Sequence, residues 1–144
     1  MSKYKKDFEI SYFTTDKHKR LRPVALLNLM TETSGEHSNS IIKIDKLEES
    51  SYAWMLNRWK VRIDKYPKAK DKITIETWTS NIDRFYAKRE FLVYDEKGDI
   101  IAKASSLWIF VDIIKKRPVR IPSEILESYK AVNEYSFDDF NDFK

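Results

Sequence analysis

The sequence predicts an α+β domain in which one antiparallel sheet wraps around a single helix. Residues 23–30 are apolar around almost the whole circumference of a helix, which is typical of an enclosed helix and not of one lying on a surface. Several later segments alternate apolar and polar side chains with a period of two, as half-buried strands do. A buried helix among strands needs a sheet to cover it, so one sheet around one helix is the expected architecture.

The first predicted element is a strand over residues 3–14, in which apolar and polar residues alternate up to a polar turn. Pro23 then begins the helix, because its missing N–H would be unpaired at the first helical position in any case. Residues 38–51 are predicted to form an irregular polar connection with one helical turn at 44–50.

Four further strands are predicted, over residues 52–66, 72–80, 85–94 and 99–113. Strict alternation in the first of these places Met55 and Trp59 on the same face. Asp95 to Gly98 closes a hairpin, with Gly98 where a positive φ is favoured. Residues 123–144 begin with a short possible helix and continue as an acidic, aromatic tail with no matching pattern. We therefore predict one domain over residues 1–122 and a linker or tail over residues 123–144.

Composition limits the classes of function. A chain of 144 residues that is 42% hydrophobic suits one domain with its own core. No apolar run is long enough for a membrane span and no signal peptide is evident, so we expect a cytoplasmic protein with no membrane partner. The absence of cysteine excludes disulfides and a thiol nucleophile. The net charge of +4 is modest, and we expect no nucleic-acid partner.

The motif inventory excludes several enzyme classes. Gly35 and Gly98 are the only glycines, so the chain has no glycine-rich phosphate loop, dinucleotide fingerprint or serine nucleophile elbow. His18 and His37 lack the spacing of metal ligands. We therefore predict no cofactor and no metal.

Two basic runs are candidates for docking an acidic partner. The first lies in the turn before the helix and contains Lys17, Lys19, Arg20 and Arg22. The second, residues 115–117, follows the last strand. Clustered positive charge steers and holds acidic carriers or phosphate-bearing substrates, so one hypothesis is a shared landing surface. The alternative is that each run is simply a solvated turn.

Several separated blocks of this sequence resemble the N-terminal half of bacterial acyl-ACP thioesterases, in the same order and spacing. The resemblance runs from about residue 8 to residue 122. Its blocks are the turn at 12–16 (YFTTD), LLNLMTETSGEHS at 26–38, WMLNRWKVRIDKYP at 54–67, ITIETW at 73–78, ASSLWIFVD at 104–112 and RPVRIP at 117–122. The resemblance implies a hotdog fold and the hydrolysis of fatty acyl thioesters in fatty acid biosynthesis.

These thioesterases resemble two fused hotdog repeats, and the catalytic repeat carries a turn of the form Asp-x-Asn-x-His-Val. Here Asp16 is retained, but His18 stands where the family has Asn and Arg20 where it has His. The resemblance therefore implies that this chain is the acyl-binding repeat and that the catalytic repeat is not included.

Two carboxylates are candidates for catalysis, since a hotdog thioesterase uses a carboxylate near the helix as base or nucleophile. They are Asp16, before the helix, and Glu32, in its polar second half. Asp16 is equally well explained as a turn-forming or capping residue. Glu32 is equally compatible with a solvated or ion-paired position on the helix.

The acyl chain is expected between helix and sheet, in contact with Leu27, Met30, Met55 and Trp59, although plain core packing would explain each of these residues as well.

Two functional hypotheses follow. The chain belongs to a thioesterase that acts on fatty acyl-ACP or acyl-CoA and docks the acidic acyl carrier protein, or it is a non-catalytic hotdog module that binds acyl thioesters or pairs with another subunit. Because a hotdog sheet leaves an uncovered edge, we also expect a homodimer.

Overall fold

The structure, a computed structural model, describes residues 3–41 and 51–137. These residues form two α-helices and a short 3-10 turn at Tyr12–Thr14; the helices are α1 (Pro23–Ile41) and α2 (Ser123–Ser128). The described strands are β1 (Lys3–Glu9), β2 (Tyr52–Ile63), β3 (Lys72–Ile82), β4 (Tyr86–Tyr94), β5 (Ile100–Asp112) and β6 (Arg117–Pro118). The predicted α+β composition, with one long helix among strands, is confirmed.

The strands form one antiparallel sheet in the order β1-β3-β4-β5-β2, with the short β6 paired to the end of β5. Strands β1 and β2 are therefore the two edges. The first strand ends at Glu9, earlier than predicted, because Ser11 caps the 3-10 turn by accepting a hydrogen bond from the Phe13 N–H. One sheet around one long helix is the hotdog arrangement.

Helix α1 buries one stripe and not its whole circumference. Leu26, Met30, Thr33 and His37 recur at helical spacing and are at most 2% exposed. Val24, in contrast, is 68% exposed. The prediction of a fully enclosed helix is wrong, because α1 packs mainly against β1 and β3 and the sheet covers only that side.

The predicted faces of β2 are also wrong. A β-bulge between Leu56 and Arg58 inserts one residue, so strict alternation fails there. Leu56 lies opposite Trp108 and Trp59 lies opposite Ser106, which places Leu56 and Trp59 on one face of the sheet. Met55 lies on the other face and is 53% exposed.

The hairpin after β4 is confirmed: Gly98 has a φ of 87° and its N–H donates to the Asp95 carbonyl at 3.0 Å. Helix α1 continues to Ile41, so the connection predicted to begin at residue 38 begins later. The helical turn predicted at residues 44–50 lies outside the described residues. Within the described part of the chain, no helix is long and apolar enough to cross a membrane.

Candidate functional site

A cavity of about 300 Å³ lies between the polar half of α1 and the sheet. The helix contributes a stripe at spacings of three and four residues, and β2 to β5 and the segment after α2 supply the other walls. Its lining residues are Thr31, Ser34, Gly35, Ser38, Asn39, Trp54, Thr79, Ala87, Arg89, Trp108 and Tyr129. This size falls at the lower end for small-molecule sites in proteins.

The helical wall of the cavity is less polar than its sequence suggests. The Thr31 hydroxyl donates to the Leu27 carbonyl at 2.9 Å, and the Ser34 hydroxyl donates to the Thr31 carbonyl at 2.9 Å. Hydroxyls that bond back to their own helix leave their carbon atoms to face a ligand. Opposite them, Trp54 and Trp108 supply large apolar ring surfaces.

Of the described residues that line the cavity, Arg89 of β4 alone is charged, and it is only 5% exposed. One guanidinium nitrogen donates to His37 Nδ1 at 2.9 Å and to the Thr77 hydroxyl at 3.2 Å, and the other donates to the Thr79 hydroxyl at 3.4 Å. Burial lowers the pKa of Arg89 to about 10, which leaves the group charged at neutral pH. Among the described residues, no carboxylate forms a salt bridge with it.

The bond from Arg89 fixes the protonation of His37. Because a guanidinium can only donate, His37 Nδ1 must accept, so the imidazole is neutral with its proton on Nε2. The ring stacks on Tyr4 of β1 with 5.5 Å between centroids. His37 therefore links the helix, the edge strand and the buried arginine, and it orients the guanidinium.

Two further donors at the cavity lack a partner among the described residues. Trp54 Nε1 and the Tyr129 hydroxyl are both buried and make no hydrogen bond. Their rings meet edge to face with centroids 6.1 Å apart. Tyr129 and Arg89 line the same cavity. The cavity thus holds donors without acceptors.

A second buried charge-bearing group, Glu90, lies on the opposite face of β4. Its carboxyl group accepts hydrogen bonds from the Ser80 hydroxyl at 2.6 Å, the Ser105 hydroxyl at 3.0 Å and the Ser136 N–H at 3.0 Å. Neighbouring residues of a strand point to opposite faces, so Glu90 is directed away from the cavity that Arg89 lines. The bond from Ser136 holds the end of the described chain against the outer face of the sheet.

The predicted acyl contacts lie elsewhere in the structure. Met30 is fully buried, while Leu27 and Trp59 are half-buried and pack against the same core cluster. Met55 is exposed on the opposite face of the sheet from Trp59, because of the bulge in β2. None of the four lines the cavity described above, and their contact with an acyl chain stays a prediction.

The two predicted catalytic carboxylates are not brought together. Asp16 Oδ1 accepts from the N–H groups of His18 at 2.8 Å and Arg20 at 3.1 Å, and these bonds, that of Arg20 foremost, lower the pKa of Asp16. Glu32 faces β1, where its carboxylate lies 3.2 Å from Lys6 Nζ. Neither carboxylate lines the cavity, so the structure places each in a local contact and their catalytic role stays a prediction.

The basic turn before α1 exposes all four predicted docking residues, Lys17, Lys19, Arg20 and Arg22. Arg20 forms an isolated β-bridge with Lys68. Lys65, three residues earlier in the chain, donates its N–H to the carbonyl of Ile101 at the start of β5. Residues 115–117 follow the other end of β5. The two basic runs therefore lie at opposite ends of the sheet, and the hypothesis of a shared landing surface is wrong.

None of the residues that line the cavity is among the predicted substrate contacts, and Arg89 and Tyr129 were missed from the sequence altogether. The sequence does contain a signal for Arg89: it lies between Ala87 and Phe91 on the apolar face of a strand, where charged residues are uncommon. Because of the bulge, Trp54 and not Met55 shares a face of the sheet with Trp59. No group of three or more His, Asp or Glu residues in the described part of the chain could hold a metal ion.

Comparison with known proteins gives one consistent result. Residues 1–129 match the acyl-ACP thioesterase N-terminal domain. The palmitoyl-acyl carrier protein thioesterase of Arabidopsis thaliana chloroplasts is 27% identical over 95 residues, which is 65% of this chain and 23% of that protein. This chain thus spans about a quarter of that curated relative.

Solved structures share the fold. An acyl-ACP thioesterase from Bacteroides thetaiotaomicron superposes with a TM-score of 0.86 at 24% identity, covering 96% of this chain and 57% of its own. A DHNA-CoA thioesterase from Staphylococcus aureus superposes with a TM-score of 0.82 at 16% identity, and 89% of each chain is covered. This chain therefore corresponds to the whole of one small hotdog protein and to about half of a longer one.

Proposed function

This chain belongs to the acyl-ACP thioesterase family, and from its place in the N-terminal domain we propose that it is the acyl-binding repeat of a cytosolic enzyme that hydrolyses fatty acyl-ACP in fatty acid biosynthesis. The observation that carries this proposal is the cavity of about 300 Å³ between α1 and the sheet, walled by Trp54 and Trp108. An apolar slot with a few polar groups suits an acyl chain. The lack of cysteine in the chain is compatible with the reducing cytosol.

The residues around the cavity suit binding better than hydrolysis. Cleavage of a thioester adds water to the carbonyl carbon and expels the thiolate, so it needs a base or nucleophile and donors for the developing oxyanion. Among the described residues, the lining contains donors but no carboxylate, histidine or cysteine. We therefore propose that this repeat holds the acyl chain and that a second repeat supplies the base, with Asp16 and Glu32 as the candidates if this chain acts alone.

The carrier protein would approach the exposed basic turn that contains Lys17, Lys19, Arg20 and Arg22. Acyl carrier protein is acidic, and exposed opposite charges accelerate and orient docking in a salt-dependent way. We propose this turn as the docking surface because it exposes four basic side chains within six residues.

Gly35 offers a direct test of the acyl slot. It lines the cavity, and a Cβ built there would meet no atom within 4 Å. In Gly35→Leu the side chain would extend into the slot, so we expect the affinity for octanoyl-ACP to fall about tenfold or more, whereas Gly35→Ala should bind as the wild type does. Isothermal titration calorimetry measures the affinity of both variants for octanoyl-ACP. Weaker binding of octanoyl-ACP to the wild type at high salt would support electrostatic docking.

Hydrolysis is measured in parallel with the same chains and with Asp16→Asn. We expect the 144-residue chain to bind octanoyl-ACP and not to cleave it. Hydrolysis that disappears in Asp16→Asn would instead make Asp16 a working carboxylate. A folded chain that fails to bind octanoyl-ACP, or a Gly35→Leu variant that binds unchanged, would exclude the cavity as the acyl site.

A further inference from the structure

Arg89 is a buried cation at the cavity wall with no carboxylate partner among the described residues, although it is charged at neutral pH. Its three hydrogen bonds go to a neutral imidazole and two hydroxyls. Transfer of a lone charge from water into a protein interior costs several kcal/mol unless an opposite charge offsets it. An anion bound in the cavity would provide that charge.

The neighbouring groups point to the same kind of ligand. Tyr129 is 6% exposed, and its hydroxyl has no hydrogen-bond partner among the described residues; the same is true of Trp54 Nε1. A buried donor without an acceptor costs about 1–3 kcal/mol. A guanidinium, an indole N–H and a phenol at one cavity form a donor set that suits the two oxygens of a carboxylate.

The rest of the cavity sets the nature and size of the group that carries the carboxylate. Trp54, Trp108 and Ala87 present apolar surface, and the hydroxyls of Thr31 and Ser34 are bonded to the helix itself. A volume of about 300 Å³ holds roughly ten atoms of the size of a water molecule. Octanoate, with eight carbons and two oxygens, has about this number of non-hydrogen atoms.

We propose that this cavity binds an aliphatic carboxylate of medium length, with the carboxylate held by Arg89, Tyr129 and Trp54. This inference rests on the proposed acyl-binding function and specifies it. The carboxylate can belong to a free fatty acid, the product of hydrolysis, or to the far end of an acyl group that is still attached to its carrier. The chemistry recognised is the same in both cases.

The first experiment compares octanoate with octanol by calorimetry at neutral pH, because the two ligands share an alkyl chain and differ in charge. We expect octanoate to bind about tenfold tighter or more, since hydrogen bonds to a charged group are stronger than those to a neutral one. Two variants test the donors. Arg89→Met removes the charge, and the preference for octanoate should fall toward unity. Tyr129→Phe removes one neutral donor that has no other partner among the described residues, and the preference should fall by a smaller factor.

The Tyr129→Phe variant keeps the test valid if Arg89→Met does not fold. Equal affinity for octanoate and octanol in the wild type would overturn the proposal, and so would a preference that is unchanged in Tyr129→Phe or that survives in a folded Arg89→Met variant. Failure of both ligands to bind while octanoyl-ACP still binds would overturn this inference but leave the acyl-binding function intact. Failure of all three ligands would overturn both.

A second pair of ligands distinguishes the sources of the carboxylate. Octanoyl-CoA and the CoA thioester of octanedioic acid carry the same thioester, but only the latter has a carboxylate at the far end. Tighter binding of the latter, lost in Arg89→Met, would assign the site to carboxylate-ended acyl groups. Equal binding of the two thioesters, with octanoate still preferred over octanol, would assign it to the free acid.

Discussion

Asp16 shows how one carboxylate can satisfy a local structural need. Its Oδ1 atom accepts two backbone N–H groups, and its Oδ2 atom lies 3.7 Å from Arg20 Nε. Lys19, inside the same turn, has a φ of 63°, a conformation that side chains other than glycine adopt rarely. The turn therefore depends on its hydrogen bonds to hold a strained backbone.

We expect Asp16→Ala to lower the free energy of unfolding more than Asp16→Asn, because the amide oxygen of asparagine can still accept the two N–H groups. The folded pKa of Asp16 lies below its ordinary value of 3.8, so the carboxylate stabilises the fold fully above pH 3.8 and loses this effect as the pH falls through the lower folded value. Urea unfolding between pH 7 and pH 2 measures both effects. A wild type no more acid-sensitive than Asp16→Asn would contradict this account.

The cavity residues show what alternation alone can and cannot predict. The apolar face of β4 follows from the sequence, and Arg89 stands on it between Ala87 and Phe91. Its partners do not follow, because His37 lies 52 residues away along the chain and meets it only after α1 packs on β3. The local pattern therefore carries a signal for Arg89, although the residue was missed, and only tertiary contacts show why its charge is tolerated.

Whole elements were predicted more reliably than their faces. Strands β2 to β5 and the Gly98 hairpin follow from period-two patterns and turn residues, and the structure confirms them. The bulge near Asn57 has no marker such as glycine in the sequence, so Met55 was wrongly predicted to share a face with Trp59. The resemblance to a family supplied the hotdog topology, which the patterns alone did not specify.

The segment after α2 is hydrogen-bonded to strands β3 and β4, although its sequence has no strand or helix pattern. The Trp78 Nε1–H donates to the Glu134 carbonyl at 2.9 Å, the Val132 N–H donates to Thr79 at 2.9 Å, and the Ser136 N–H reaches buried Glu90. Side-chain and backbone bonds of this kind leave no periodic signal. The prediction of a linker over residues 123–144 therefore gives no account of these contacts.

Truncation tests this segment. A chain that ends at residue 128 loses the three partners named above, and buried polar groups without partners cost about 1–3 kcal/mol each, so we expect a loss of about 3 kcal/mol or more in the free energy of unfolding. A chain that ends at residue 137 retains all three and is the matched control. Both are compared with the full chain by urea unfolding. Equal stability of the two truncated chains would show that the segment does not support the sheet.

At the scale of the whole molecule, the sheet edge formed by β2 is suited to pairing with a partner. Strand β2 has 12 residues, and its outer edge is paired with no strand of the described residues. Met55 is 53% exposed, Leu56 37% and Val61 36%, which adds apolar surface to unpaired backbone. Natural proteins protect such edges by charge, by cover or by pairing. Proteins of the same fold that are about twice as long have room for a second unit, so we propose that β2 pairs with another repeat, in a homodimer of this chain or within a longer protein.

Light scattering coupled to size exclusion tests the homodimer. We expect a mass of two copies of the 17.2 kDa chain, with β2 of each copy meeting the other in an isologous pair that joins the sheets. Met55→Lys combined with Val61→Lys places charges on this edge and should shift the mass to that of one chain at the same concentration. Phe85→Lys is the matched control, because Phe85 is 44% exposed in the turn between β3 and β4 and does not lie on the edge. A dimer that persists in the double variant would show that the contact does not involve β2. A wild type that is monomeric at all concentrations would contradict the homodimer, and pairing of β2 with the second repeat of a longer protein would then be the remaining form of the proposal.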